Sequence, residues 1–329
     1  MKLVSYQAPS SIRIGVIVAD SIVDLASAHA AAQGKATLGL ASLPADMNAF
    51  LQLGEPALAD ARAIVAWAAS ESDLSAVSVP VADAVLMAPV PRPSSMRDGY
   101  AFRQHVEAAR RNRGVEMIPE YDEIPIFYMT NHNAVYGPGP IPVLPMHLDK
   151  LDFELEAAIV IGKECRNVKA AEADACIAGY TVMNDWSARA LQMHEMKLNL
   201  GPAKGKDFAT SIGPWLVTRD ELADRRIETP NGELYDLEMT CVINGKDVSK
   251  GNMKDMTWTF AQIIERASYG VTLYPGDVIG SGTVGTGCFL ELNGSKVYDP
   301  AWWLTIGDTV TCAIDRLGAL TNVVVEETL

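Results

Sequence analysis

The chain has 329 residues, 49% hydrophobic and 21% charged, a globular composition that excludes disorder and fibrous repeats. Its 41 acidic residues against 27 basic ones give a formal net charge of -14, which repels a nucleic-acid backbone, and an aromatic share of 7% offers little for base stacking. No stretch reaches the ~18 apolar residues of a membrane span, and the start Met-Lys-Leu-Val-Ser-Tyr-Gln lacks an apolar signal segment, so a cytoplasmic location is expected.

At roughly 150 residues per domain the length predicts about two domains. Residues 1–80 read as a small α/β unit. Short strands at 3–6, 12–18 and 21–24 form a meander that turns at Ala19-Asp20. A helix over 46–53 starts on a capping Asp46. A second helix over 55–69 repeats apolar residues at helical spacing, with Pro56 in its first turn. Pro80, Pro89, Pro91 and Pro93 mark 77–97 as a linker.

Residues 81–329 read as a mostly β catalytic domain. Strands are predicted at 154–161, 177–183, 238–242, 289–292, 309–314 and 321–325. Turn signals separate them at Asn244-Gly245, Pro275-Gly276-Asp277, Asn293-Gly294 and Gly307-Asp308. Helices are expected over 98–110, 186–193 and 257–268, and 114–150 is a long Pro-rich loop of the length that usually carries function. The fold class is mostly β with α: a small N-terminal α/β domain and a rolled mixed β-sheet or barrel. The five cysteines, Cys165, Cys176, Cys241, Cys288 and Cys312, are odd in number and lack CxxC spacing. That points away from a zinc site or disulfide framework and toward buried thiols in a reducing compartment.

Most of the acidic excess serves solubility, but some carboxylates sit in suggestive places. Glu154 and Glu156 alternate with Phe153, Leu155 and Ala157, so both share one strand face. A cation or plain solvent would separate their charges. Asp185 follows an apolar strand and precedes a helix, as either an N-cap or an acidic ligand. Asp98 and His105 are seven apart, two helical turns, and would share a helix face. Lys206 and Thr210 lie in a Gly-rich loop without phosphate-loop spacing, and Glu291 sits on a predicted strand after the glycines of 282–287.

In order, these segments resemble the fumarylacetoacetate hydrolase family from about residue 92 to the end. The resemblance rests on Asp98 with His105, Glu154-Leu-Glu156, Asp185-Trp-Ser-Ala-Arg189 with Gln192, Lys206 with Thr210, and Thr283 with Glu291. The N-terminal Arg13-Ile-Gly-Val-Ile-Val and Val23-Asp24-Leu25 are similar to the family's smaller leading domain.

The resemblance implies a metal cage of Asp98, Glu154, Glu156 and Asp185, with Lys206 and Thr210 behind the ligands. Such oxygen donors select a divalent cation, Mg²⁺ first, with Ca²⁺ or Mn²⁺ as alternatives. The implied catalytic residues are His105, Glu291, Lys206, Arg189 and Gln192. The implied substrate contacts are Tyr100, Tyr128, Arg189, Gln192 and Thr283. The expected reaction is hydrolysis of a C–C bond in a 1,3-diketo acid of fumarylacetoacetate or acylpyruvate type, in aromatic compound catabolism. His105, oriented by Glu291, would activate water, and the carbon fragment would leave as an enolate held by the cation. The alternative within the resemblance is a 2-oxo acid decarboxylase, isomerase or hydratase that passes through the same enolate. The expected partners are a small acid and a second copy of the chain in a homodimer, with no nucleic acid and no membrane.

Overall fold

The computed structural model describes residues 1–328. Its N-terminal meander forms as the alternation predicts, with strands Lys2–Gln7, Ile12–Val18 and Ser21–Asp24 in antiparallel register, Leu3 opposite Val16 and Val16 opposite Val23. Helices Met47–Gln52 and Glu55–Ser70 follow. Asp46 caps the first by accepting the Ala49 N–H at 2.9 Å. A helix at Leu25–Ala31 was not legible in the pattern; Asp24 caps it through the Ser27 N–H at 2.8 Å and pairs with Arg13.

The segment read as a linker is built into the sheet. Ser78–Pro80 pairs with Ser21–Asp24, and Val85–Leu86 pairs with Lys2–Gln7. Pro80 ends an edge strand, where the missing N–H costs no ladder bond.

Lys2–Gln7 also pairs with Thr210–Thr218, Leu3 opposite Leu216. One large mixed sheet therefore runs on through Ile177–Asp185, Leu155–Ile161, Val278–Gly280 and Met96–Gly99 to Phe127–Met129. A second sheet orders Lys246–Asn252, Glu238–Ile243, Thr309–Ile314, Gly318–Glu326 and Gly139–Val143. The result is a rolled mixed sheet with open edges, not a closed barrel. Leu155, Ala157 and Ile159 share one apolar core with Met239, Cys241 and Val310 of the second sheet. Ala158 and Val160, on the other face of the same strand, pack with Leu3, Phe50 and Ile64. The strand 155–161 is thus buried on both faces, which explains its nearly unbroken apolar run. All five cysteines are free and buried.

Four expectations are corrected. The helix predicted over 98–110 is a strand, Met96–Gly99, followed by a helix at Arg103–Asn112. Asp98 is held in the sheet between Gly280 and Tyr128, and a Cβ at Gly99 would come within 3.0 Å of the Gly280 carbonyl oxygen. The strand predicted over 289–292 is a helix, Phe289–Gly294, so Asn293-Gly294 ends a helix instead of turning a hairpin. The helix predicted from 186 starts at Arg189, because Ser187–Ala188 pairs with Leu151–Asp152 first. Asp185 is therefore the last residue of its strand and not a helix cap. The loop of 114–150 contains the strands Phe127–Met129, Val135–Tyr136 and Gly139–Val143.

Candidate active site

Three strands of the large sheet carry the four carboxylates, with Glu154 just ahead of Leu155–Ile161 and Val278–Gly280 lying between that strand and Met96–Gly99. Glu156 lies opposite Met183, two residues before Asp185, and Asp98 lies beside Gly280. Asp98, Glu154, Glu156 and Asp185 each offer an oxygen within 4.8 Å of the others. All four are buried, so the shared face of Glu154 and Glu156 is not a solvated one.

Two cations are aimed into the cluster. Lys206 Nζ donates to Glu154 Oε2 at 2.5 Å and to Asp185 Oδ2 at 2.7 Å. Arg189 donates through Nη2 to Glu154 Oε1 at 2.7 Å and through Nη1 to Gln192 Oε1 at 3.0 Å. The Gly282 N–H bonds both Asp98 and Glu156 at 3.0 Å, and the Tyr128 hydroxyl donates to Asp185 at 2.5 Å. Thr210 is buried opposite Asp185 in the strand register, and Thr283 is buried beside Gly282. Every nitrogen of the Arg189 guanidinium therefore has a protein acceptor, which suits it to orienting carboxylates.

The electrostatics divide the four acids. Burial alone would raise Glu154, but Lys206 and Arg189 outweigh it and hold the carboxyl well below its ordinary range. Burial, then the Asp185 charge, pushes Asp98 up to about 7. Burial and the neighbouring Asp98 raise Glu156 well above its ordinary value. Burial beside Asp185 raises the Tyr128 phenol, which stays protonated and donating.

These residues fit a divalent cation. Glu156 Oε1 and Asp185 Oδ1 are buried with no hydrogen-bond partner, an expensive arrangement that a cation would relieve. Four carboxylates face two fixed cations, and a divalent ion closes the charge difference. The all-oxygen donor set belongs to Mg²⁺, Ca²⁺ or Mn²⁺ chemistry.

The second part of the site is a histidine backed by a carboxylate. His105, in the first turn of Arg103–Asn112, places Nδ1 at 2.6 Å from Glu291 Oε2. The Thr286 N–H fixes the other Glu291 oxygen at 3.0 Å. A carboxylate behind one ring nitrogen orients the imidazole and favours the cation it becomes on taking a proton. Tyr100 packs edge-on against the ring at 5.9 Å between centroids. A nitrogen of His105 lies within 4.8 Å of a Glu154 oxygen, which joins the histidine to the carboxylate cluster.

A family model described as fumarylacetoacetate (FAA) hydrolase, C-terminal, matches residues 94–325, the region that holds all of these side chains. The chain belongs to this family. It is 32% identical over 333 residues to the oxaloacetate tautomerase Fahd2a, mitochondrial, of Rattus norvegicus, covering 99% of this chain and 92% of that one. A fumarylacetoacetate hydrolase domain-containing protein 2 homolog of Dictyostelium discoideum is 30% identical, covering 98% and 96%. The solved fumarylacetoacetate hydrolase from Exiguobacterium antarcticum shares the fold at TM-score 0.69 and 23% identity, covering 99% and 100%. Maleylpyruvate hydrolase from Sphingobium superposes at TM-score 0.68 and 23% identity, with the same coverage.

The fold gathers the residues singled out from the sequence around one cluster, but one central carboxylate escaped that reading. Asp152 is fully buried and accepts the Phe289 N–H at 2.7 Å, the Leu290 N–H at 2.9 Å and Arg189 Nε at 2.8 Å. It joins the arginine that holds Glu154 to the helix that carries Glu291. The signal was present: Asp152 precedes Glu154 and Glu156 at the same spacing of two. Replacing Asp152 with Ala strands a buried guanidinium and uncaps the helix. We expect a stability loss of about 3 kcal/mol in urea denaturation and a fall in kcat. Asp152→Ala with unchanged urea midpoint and kcat would remove the residue from this network.

Proposed function

We propose that the chain is a cation-dependent enzyme that moves a proton beside the carbonyl of a small 2-oxo or 1,3-diketo acid. The leading reaction is keto–enol tautomerisation of an acid of the oxaloacetate type. The observation that carries the reading is the His105–Glu291 pair set against four buried carboxylates. The names of relatives 32–33% identical over 86–99% of this chain support the same chemistry.

Asp98, Glu154, Glu156 and Asp185 would hold the cation, Mg²⁺ in this proposal. When bound, it supplies Lewis acidity that favours the enolate form of a carbonyl substrate. His105 takes the proton from the carbon next to that carbonyl and returns it to the other position. Glu291 stabilises the imidazolium between the two transfers. Lys206 and Arg189 keep Glu154 ionised, and the Gln192 and Tyr100 side chains would contact the substrate.

A second reading is C–C hydrolysis of an acylpyruvate or fumarylacetoacetate-type acid. The same dyad favours it, because a carboxylate-backed imidazole can also deprotonate water. A substrate panel separates the two. Oxaloacetate and acylpyruvates are followed by enol absorbance, and products are identified by mass. Enol and keto forms that interconvert without change of mass support tautomerisation; pyruvate plus a second acid would replace it with hydrolysis. The five buried free thiols suit a reducing compartment, and a homodimer is part of the proposal, tested by light scattering.

Chelation gives a direct test of the cation. Dialysis against EDTA should lower activity by about a hundredfold or more, and Mg²⁺ or Mn²⁺ should restore it. Full activity in protein shown free of metal by elemental analysis would end the cation mechanism.

A further inference from the structure

Beside the carboxylate cage lies a second set of donors that the proposed reaction does not use as a set. One His105 nitrogen, one Glu154 oxygen and the Cys288 sulfur all lie within 4.8 Å of one another, and all three residues are buried. Cys288 precedes the helix Phe289–Gly294 and is fully buried. We propose that His105, Cys288 and Glu154 form a site for a soft divalent cation of the zinc type, and that its occupancy switches the enzyme off.

The chemistry of the donors separates this site from the cage. Imidazole, thiolate and carboxylate are zinc ligands, whereas the cage offers oxygen alone. Three protein ligands leave a fourth tetrahedral position for water. A tetrahedral zinc ion holds neighbouring donors about 3.5 Å apart, so small side-chain rotations close the set. The Glu291 carboxylate on His105 Nδ1 is the partner that a zinc-ligating histidine commonly has, and it leaves Nε2 free to bind. The spacing of the cysteines argues against a zinc site. Only the fold brings Cys288 to His105, which are far apart in the chain.

Binding replaces the thiol proton, which leaves to solvent as the zinc–sulfur bond forms. It also occupies the lone pair with which His105 would accept a proton. Zinc therefore removes the base, and it would share the Glu154 carboxylate with the ion of the cage. The inference rests on His105 as the base for its effect on activity, but not for the binding itself.

The test uses the full chain loaded with Mg²⁺, with Co²⁺ as a spectroscopic stand-in for zinc. Titrated Co²⁺ should produce thiolate-to-cobalt charge-transfer absorption in the wild type and none in Cys288→Ser. Zn²⁺ should inhibit the wild type, and Cys288→Ser should need at least about tenfold more zinc for half-inhibition while keeping its activity in Mg²⁺. Cys288→Ala serves the same purpose if the serine variant fails to fold. Cobalt binding without charge-transfer absorption overturns the site. Equal zinc sensitivity in wild type and variant overturns the switch, because zinc would then act by replacing the ion of the cage. The absorption band is independent of which reaction the enzyme catalyses, so failure of the functional reading leaves the binding result intact.

Discussion

His105→Ala should lower kcat by about 10²–10⁴-fold, the range a positioned general base contributes, while Mg²⁺ affinity changes only a few-fold. The separation of the two effects follows from the geometry. His105 binds Glu291 at 2.6 Å and is not one of the four carboxylates of the cage, so its loss leaves the oxygen donors in place. Glu291→Gln should also lower kcat. The amide no longer stabilises the imidazolium, while its carbonyl oxygen can still accept the Thr286 N–H that holds Glu291 at 3.0 Å. Steady-state rates on the substrate that wins the panel, with calorimetric titration of Mg²⁺, check both parts. A His105→Ala enzyme with wild-type kcat would mean that another group moves the proton.

Lys206→Met should destabilise the cation-free protein by about 3–5 kcal/mol, the cost of leaving buried charge without its partner. Lys206 is almost fully buried, and its ammonium contacts both Glu154 and Asp185. Burial disfavours its charge, yet the two carboxylates outweigh burial and hold the lysine firmly protonated. Without it, Arg189 alone faces four acids. Urea denaturation in EDTA measures the loss. Added Mg²⁺ should stabilise the variant more than the wild type, because the divalent ion supplies the missing charge and binds only the folded state. An unchanged urea midpoint in EDTA would show that Lys206 does not neutralise the cluster.

The alternation of Glu154 and Glu156 was legible because strand geometry has a period of two and needs no distant partner. The same rule places Asp152 on that face, but it gives no reason to single Asp152 out until Arg189 and the 289–294 helix arrive beside it. His105 lies on a helix as expected, but Asp98 lies on the strand before it. Their spacing of seven fits a helix, yet backbone pairing of Asp98 with the Val278–Gly280 strand is stronger than a local propensity. Phe289–Gly294 repeats the lesson: an apolar run opening on Phe289 reads as a strand, but Asp152 satisfies the first two N–H groups of a helix.

By itself the sequence determined what local chemistry controls. The meander, the cap at Asp46, the turn at Asn244-Gly245 and the ordered residue types of the family lie within a few positions of one another or within one motif. The tertiary structure decided which charges meet. It brought Lys206 to Glu154 and Asp185, Glu291 to His105, and Cys288 to the edge of the cage. Those encounters depend on burial and on separations of a few ångströms between segments remote in the chain. Coulombic and hydrogen-bond energies change steeply over that range, and no spacing in the sequence reports it.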